Sequence, residues 1–225
     1  MKLMTAKTDR QIHDAVLQEL KWDTQVDETE VGVEVGHGVV TLTGTVGNYA
    51  KKLGAQEAAH RVEGVLDVAN DIQIHIHGAM QHTDTEIAEA VRRVLSWNVF
   101  IPHEQIQTTV SNGWVLLEGS VPYLIDRITV EKAVSNLNGL KGVTNNLVVS
   151  SPAITPNSIR ESIEKALDRR AKRESDSIQV DVKDGTVWLT GRVHNWNEKQ
   201  AVLGAAGFAS GVRRVEDHLR VDPYF

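Results

Sequence analysis

Three times along this chain the spacing of apolar residues changes from helical to extended, each time in the same order. Ile12/Val16/Leu20, Ile87/Val91/Leu95 and Ile159/Ile163/Leu167 recur at i, i+4 and i+8, which lines one face of a helix. The period then falls to two. Val31/Val33/Val35, Ile106/Thr108/Val110 and Ile178/Val180/Val182 alternate with polar residues, as a half-buried strand requires. Gly36-His37-Gly38, Asn112-Gly113 and Asp184-Gly185 follow as hairpin turns, and a second strand returns through Val40/Leu42, Val115/Leu117 and Val187/Leu189. A second helix is predicted from about Tyr49, Leu124 and Trp196, with Ala58, Ala133 and Ala205 at one facing position. It should end at Gly64, Gly139 and Gly211 as left-handed terminators. A third strand is predicted at Val68 to Ile76, Val143 to Val149 and Val215 to Val221.

The copies align on Gly38, Gly113 and Gly185, at offsets of 75 and 72 residues. Thr8, Thr83 and Thr155 stand thirty residues before those glycines, and Gly44, Gly119 and Gly191 stand six after, without a gap inside any copy. Thr8-x-x-Gln11 and Thr83-x-x-Glu86 read as capping boxes, while Thr155 precedes Pro156 at the favoured first helical position. The predicted architecture is therefore α+β, with three tandem αββαβ domains over residues 1–77, 83–150 and 155–225. In each, two helices pack on one face of a three-stranded mixed sheet. Whether the third strand pairs with the first or the second stays open. The far face of the sheet is polar in the first copy, at Glu30, Glu34, Thr41 and Thr43. The others carry Trp114, Leu116 and Trp188 there, which are predicted to pack between units.

The pattern Gly-Val-Val-x-Leu-x-Gly-x-Val (Gly38 to Val46), followed by a helix and then Gly-Val-x-x-Val-x-Asn (Gly64 to Asn70), resembles the BON domain, named for bacterial OsmY and nodulation proteins. Gly113 to Val121 with Gly142 to Val148, and Gly185 to Val193 with Gly211 to Val221, are similar to the same signature. The resemblance implies a noncatalytic module of envelope-stress proteins, proposed to attach to phospholipid surfaces. It also implies an alternative, since a cytoplasmic relative that joins this domain to a LysM domain binds potassium. The glycines of the motif, Gly38, Gly44, Gly64 and their counterparts, fall at turns and caps, so they carry the fold and no catalysis.

Composition narrows the chemistry. With 24 Lys and Arg against 30 Asp and Glu the formal charge is −6, which disfavours binding driven by counterion release from nucleic acid. Cysteine is absent, which removes disulfides, thiolate nucleophiles and Cys-based zinc sites. No run of apolar residues is long enough to span a bilayer, and residues 1–7 lack the apolar stretch of a secretory signal. The expected location is cytoplasmic as the chain stands, or periplasmic if a leader has been removed.

Candidate binding residues are few. Trp22 and Trp97 occupy matching places by the end of the first helix, where the third copy has Arg169. An indole suits a lipid headgroup boundary, but in so small a domain the pair is expected to cap the core. Tyr49 with Lys51 and Lys52, and Trp196 with Lys199, put an aromatic beside cations at the start of the second helix and are candidate contacts to anionic headgroups. Charge is uneven: Thr8 to His77 holds 12 acidic and 5 basic residues, Thr83 to Ser150 7 and 5, and Thr155 to Asp222 11 and 12. The one dense basic cluster, Arg169, Arg170, Lys172 and Arg173, makes the third copy the candidate for phosphate contact. His75, His77 and His82 are a weak candidate metal site, without carboxylates at matching spacing. No Ser/His/Asp constellation or phosphate-cradling loop can be assembled, so neither catalysis nor a cofactor is expected. The expected function is a nonenzymatic, stress-associated adaptor that engages phospholipid or a protein partner through tandem domains. An ion or small-molecule sensor is the alternative.

Overall fold

The computed structural model describes residues 7–78, 81–99, 101–150, 154–170 and 178–222, with backbone only at 168–170. The first repeat runs α1 (Asp9–Trp22), β1 (Val31–Gly36), β2 (Val39–Val46), α2 (Tyr49–Arg61), β3 (Asp67–Asn70) and β4 (Gln73–Ile74). The second runs α3 (Asp84–Trp97), β5 (Ile106–Ser111), β6 (Trp114–Val121), α4 (Leu124–Ser135) and β7 (Gly142–Val149). The third runs α5 (Pro156–Arg170), β8 (Ile178–Lys183), β9 (Thr186–Val193), α6 (Trp196–Gly207) and β10 (Arg214–Val221). Each repeat is αββαβ, and its sheet is α+β in character with the hairpin antiparallel.

The returning hairpin strand is central in every sheet, so the third strand pairs with the second. In the first two repeats that pairing is parallel, Val40 opposite Val68 and Val115 opposite Val143. The second helix supplies the crossover a parallel pair needs. In the first repeat the expected single third strand is in two pieces, β3 and β4, both alongside β2.

The helical stripe and the inward strand positions meet in the core. Ile12, Val16 and Leu20 lie with Val31, Val40, Leu42 and Val46, closed from the side of α2 by Ala55, Ala58 and Ala59. Ile87, Val91, Leu95, Val115, Leu117 and Val121 are buried in the second repeat, and Ile159, Ile163, Leu167, Val187, Leu189 and Val193 in the third. Small residues on α2 let helix and sheet approach closely, which compensates for the lack of aromatic volume.

The turns are built as the pattern requires. His37, Asn112 and Asp184 have φ of 53°, 52° and 50°, each followed by a glycine at 77° to 81°, which is the type I′ geometry. Two of the tips are held by a carboxylate from the first helix. Asp9 accepts from the backbone N–H groups of His37 and Gly38, both at 2.9 Å, and Asp84 accepts from Asn112 and Gly113 at 2.8 and 2.9 Å. The third repeat has Pro156 at this position and offers no such group. The expected C-terminal glycines need correction: α2 is capped at Val62 and α4 at Asn136, so Gly64 and Gly139 lie beyond the helix ends, in the turn toward the third strand. Their φ values of 97° and 84° are spent on that turn. Gly44 and Gly119, within the central strand at φ of 119° and 122°, have a separate reason. A Cβ at either would overlap the carbonyl oxygen of Glu30 or Gln105 on the incoming segment.

Replacing Gly44 or Gly119 by Ala should therefore destabilise its repeat by on the order of 2–3 kcal/mol. Gly36→Ala, where nothing lies within 4 Å, should change stability by less than about 0.5 kcal/mol. Urea unfolding of the three variants measures the contrast. The backbone hydrogen bonds from Gly38 and His37 also hold the Asp9 carboxyl below the usual carboxylate range. Stability from this contact is present above about pH 4 and lost as the pH falls through the folded value. Hydrogen exchange should accordingly report earlier opening of the His37–Gly38 tip in acid, and Asp9→Asn should remove that pH dependence.

Candidate binding surface

Contacts within the chain define two compact units. One holds the residues up to Gln81 together with Arg192–Lys199 and the chain from Val221; the other holds His82–Gly191 and Gln200–Arg220. The candidate residues distribute over them unevenly.

Lys51 and Lys52 sit in the first turn of α2, whose N-terminus is capped by the Asn48 side chain accepting from Lys51 N–H at 2.8 Å. Their ammonium groups are engaged within the repeat. Lys51 pairs with Glu30 at 3.0 Å, and Lys52 donates to the Ile72 carbonyl at 2.8 Å. Tyr49 is half-buried. Arg127 stands in the second repeat where Lys52 stands in the first, and it donates to the Asn145 carbonyl of β7 at 2.9 Å, where Lys52 reaches the link between β3 and β4. These cations tie the second helix to the third strand.

An asparagine completes that tie; the sequence shows it as the last residue of the motif Gly64 to Asn70 without revealing its role. Asn70 donates to the Lys52 carbonyl at 3.0 Å and to Gln56 at 3.2 Å, while its Oδ1 accepts from Ile72 N–H. Asn145 repeats the arrangement with the Arg127 carbonyl, Glu131 and Leu147 N–H. The signal was present in the recurrence of Asn70, Asn145 and Asp217 at the repeat offsets, and the Asp217 carboxylate accepts from Leu219 N–H at 3.0 Å.

Trp196 is half-buried rather than presented to solvent. Its ring stacks on His60 with centroids 3.9 Å apart and planes 18° from parallel, and it packs against the core of the first repeat. Lys199 lies over the same indole, 4.9 Å from its centroid. Within the second unit, the α4 side chains Leu124 and Ile128 lie beside Gly207 of α6. Trp114 is folded over Gly142 on its own sheet and remains 53% exposed, and Leu116 and Trp188 are half-buried.

Trp22 and Trp97 correct the expectation that they cap the core. Each is the last residue of its helix and each is 83% exposed. The aliphatic stripe ends at Leu20 and Leu95, both fully buried. Two further residues along the helix rotate the side chain by about 200°, away from that face. Val99, just beyond Trp97, is 93% exposed.

Of the basic run, the side chains of Arg169 and Arg170 and the whole of Lys172 and Arg173 lie outside the described residues. His75 and His77 are exposed, with rings edge to face at 4.9 Å, while His82 lies against Gly139 and 3.9 Å from Glu86. Among the described residues no three His, Asp or Glu side chains are grouped to hold a metal ion, and no helix is long and apolar enough to cross a membrane. A shallow, open depression of about 240 Å³ is lined by residues of the segment from Ser96 to Gln105.

Trp22→Ser and Trp97→Ser should each change the thermal stability by less than about 0.5 kcal/mol, as for surface positions. A loss of about 3 kcal/mol or more, the cost of emptying a core aromatic site, would mean that the indoles are buried.

Comparison with known proteins agrees with the repeat. A curated relative, the osmotically-inducible protein Y of Escherichia coli strain K12, is 26% identical over 128 residues, covering 54% of this chain and 63% of that protein; the chain thus spans less than two thirds of this relative's length. A protein of Anaplasma centrale, described as the uncharacterized protein in the gshII 5′ region, is 25% identical over 122 residues, covering 52% of this chain and 81% of its own. Among solved structures, the C-terminal domain of CdsD, a structural protein of the type III secretion system of Chlamydia trachomatis, aligns over 93% of this chain and 96% of its own. That alignment has 15% identity and a TM-score of 0.27. The BON domain itself matches three times, over residues 8–75, 83–151 and 156–223, and with nearly the whole chain so accounted for, this protein belongs to the BON domain family.

Proposed function

We propose that this chain is a nonenzymatic, stress-associated binding protein that attaches to anionic phospholipid surfaces through its tandem domains. The observation that carries the reading is the pair Trp22 and Trp97, equivalent by repeat and each 83% exposed at the end of a first helix. An indole left in water at two matching positions is poorly placed for stability and well suited to a headgroup boundary, where its ring is apolar and its N–H can be solvated. Arg169 stands at the third equivalent position and opens the basic run Arg169, Arg170, Lys172 and Arg173. Juxtaposed cations at an anionic leaflet contribute roughly 1 kcal/mol each and are screened by salt. Two indoles and one basic cluster on one chain act together, because once one repeat is bound the others are held at high local concentration. The stress association rests on the resemblance to the osmotically-inducible relative.

Cosedimentation with vesicles of phosphatidylglycerol and phosphatidylethanolamine tests the reading. Trp22→Ser with Trp97→Ser should weaken binding by about tenfold or more, the equivalent of about 1.4 kcal/mol. Changing the four basic residues to Ser should weaken it further and flatten its salt dependence. Unaltered binding by both variants, or no binding by the parent chain at low salt, would remove the lipid reading and leave a protein partner as the competing one.

A further inference from the structure

His60 is set apart by its surroundings. It lies in the last turn of α2, half-buried, with its ring flat against Trp196 of the segment Arg192–Lys199, which belongs to the same compact unit as the first repeat. The Nε2 atom of His60 and the Nε1 atom of Trp196 are both buried without a hydrogen-bond partner. The charged groups acting on this imidazole are Asp67 from the start of β3 and Lys199 from α6. On its own helix the neighbouring Arg61 is committed to Glu19 and Asp23, at 2.7 and 2.6 Å. Glu198, next to Trp196's turn on α6, accepts from His194 N–H at 2.7 Å.

Neutral imidazole suits this place and imidazolium does not. The cation must carry a proton on Nε2, where no acceptor is present, and it must lose half its hydration to do so. It would also bring a second positive charge to an indole over which the Lys199 ammonium already lies. Asp67 is the one opposing influence. Burial is the largest effect and holds His60 below the ordinary imidazole value, with Lys199 adding to it. The stabilisation from this contact is therefore fully present above about pH 6.5, the value of a free imidazole, and is lost as the pH falls from there through the folded value.

We propose that the His60–Trp196 stack is a proton-released fastening, which holds the segment Arg192–Lys199 on the first repeat at neutral pH and lets it go in acid. Release uncovers two things at once: the indole of Trp196 and the part of the first core it packs against. The same stretch of α6 that begins with Trp196 continues to Gly207 beside Leu124 and Ile128, so release frees only its beginning.

The experiment uses the full chain. The Cε1–H resonance of His60, assigned by its disappearance in His60→Gln, is followed against pH together with amide hydrogen exchange over residues 196–203, corrected for the intrinsic pH dependence. The expected result is a His60 midpoint below about 6.5, raised toward it in Trp196→Ala and in Lys199→Met. Exchange over 196–203 should accelerate at least tenfold as the pH drops through that midpoint. His60→Phe, which keeps a flat ring but has no proton to gain, should hold exchange slow across the same range. A His60 midpoint at or above the ordinary value overturns the proposal. So does acceleration in His60→Phe equal to that of the parent, which would assign acid opening to another group even if Trp196→Ala fails to fold.

Discussion

The constraint on which everything else rests is the smallness of the repeat. A unit of about seventy residues with almost no aromatic core must bury one aliphatic helical stripe against one central strand, and there is no second layer to absorb an error. Ile12, Val16 and Leu20, with their counterparts, can be buried only if the hairpin and the second helix close on the same side. That requirement fixes the alanines on α2, which bring helix and sheet together. The middle strand of each sheet, β2, β6 or β9, lies beside the first strand, on which the first helix packs, and in the first two repeats the second helix packs on the middle and third strands.

Polar contacts then lock the register that the core selects. In the first two repeats the first helical carboxylate grips the hairpin tip, and an asparagine on the third strand holds the carbonyl of the second helix. A cation on that helix reaches back to the strand. Each group lies outside the apolar interior, so its individual contribution is modest, but together they specify where the strands stop and how far the helix slides. The third repeat replaces two of these groups, with Pro156 for the aspartate and Asp217 for the asparagine, and keeps the same order of elements. The shared aliphatics therefore suffice for the fold, and the polar locks refine it.

The same frame separates residues serving the fold from those left over. Lys51 and Lys52 look like surface cations in the sequence and are internal ties in the structure. Trp196 looks like the counterpart of Tyr49 and instead stacks on a histidine of another repeat in the same compact unit. Trp22 and Trp97 remain with no role in the interior. The two exposed indoles stand on matching helix ends and do not line a cleft.

The sequence by itself determined the order of helices and strands, the three-fold repeat, the buried stripe and the left-handed turns. The nine glycines at Gly38, Gly44, Gly64 and their counterparts all have positive φ. These features are local or periodic: a helical face, an alternating strand and a turn are each encoded within a few neighbouring residues. Only the tertiary structure decided that the third strand lies beside the second, that α2 stops before Gly64, and that Asp9 reaches a hairpin tip 28 residues away. It also decided which tryptophans are spent on packing and which are not. Those outcomes depend on direction, on whether a side chain at a given turn of helix faces its own core, another repeat or water. One-dimensional spacing carries no coordinate for that at a helix end, where two residues turn the chain's face just over half-way round.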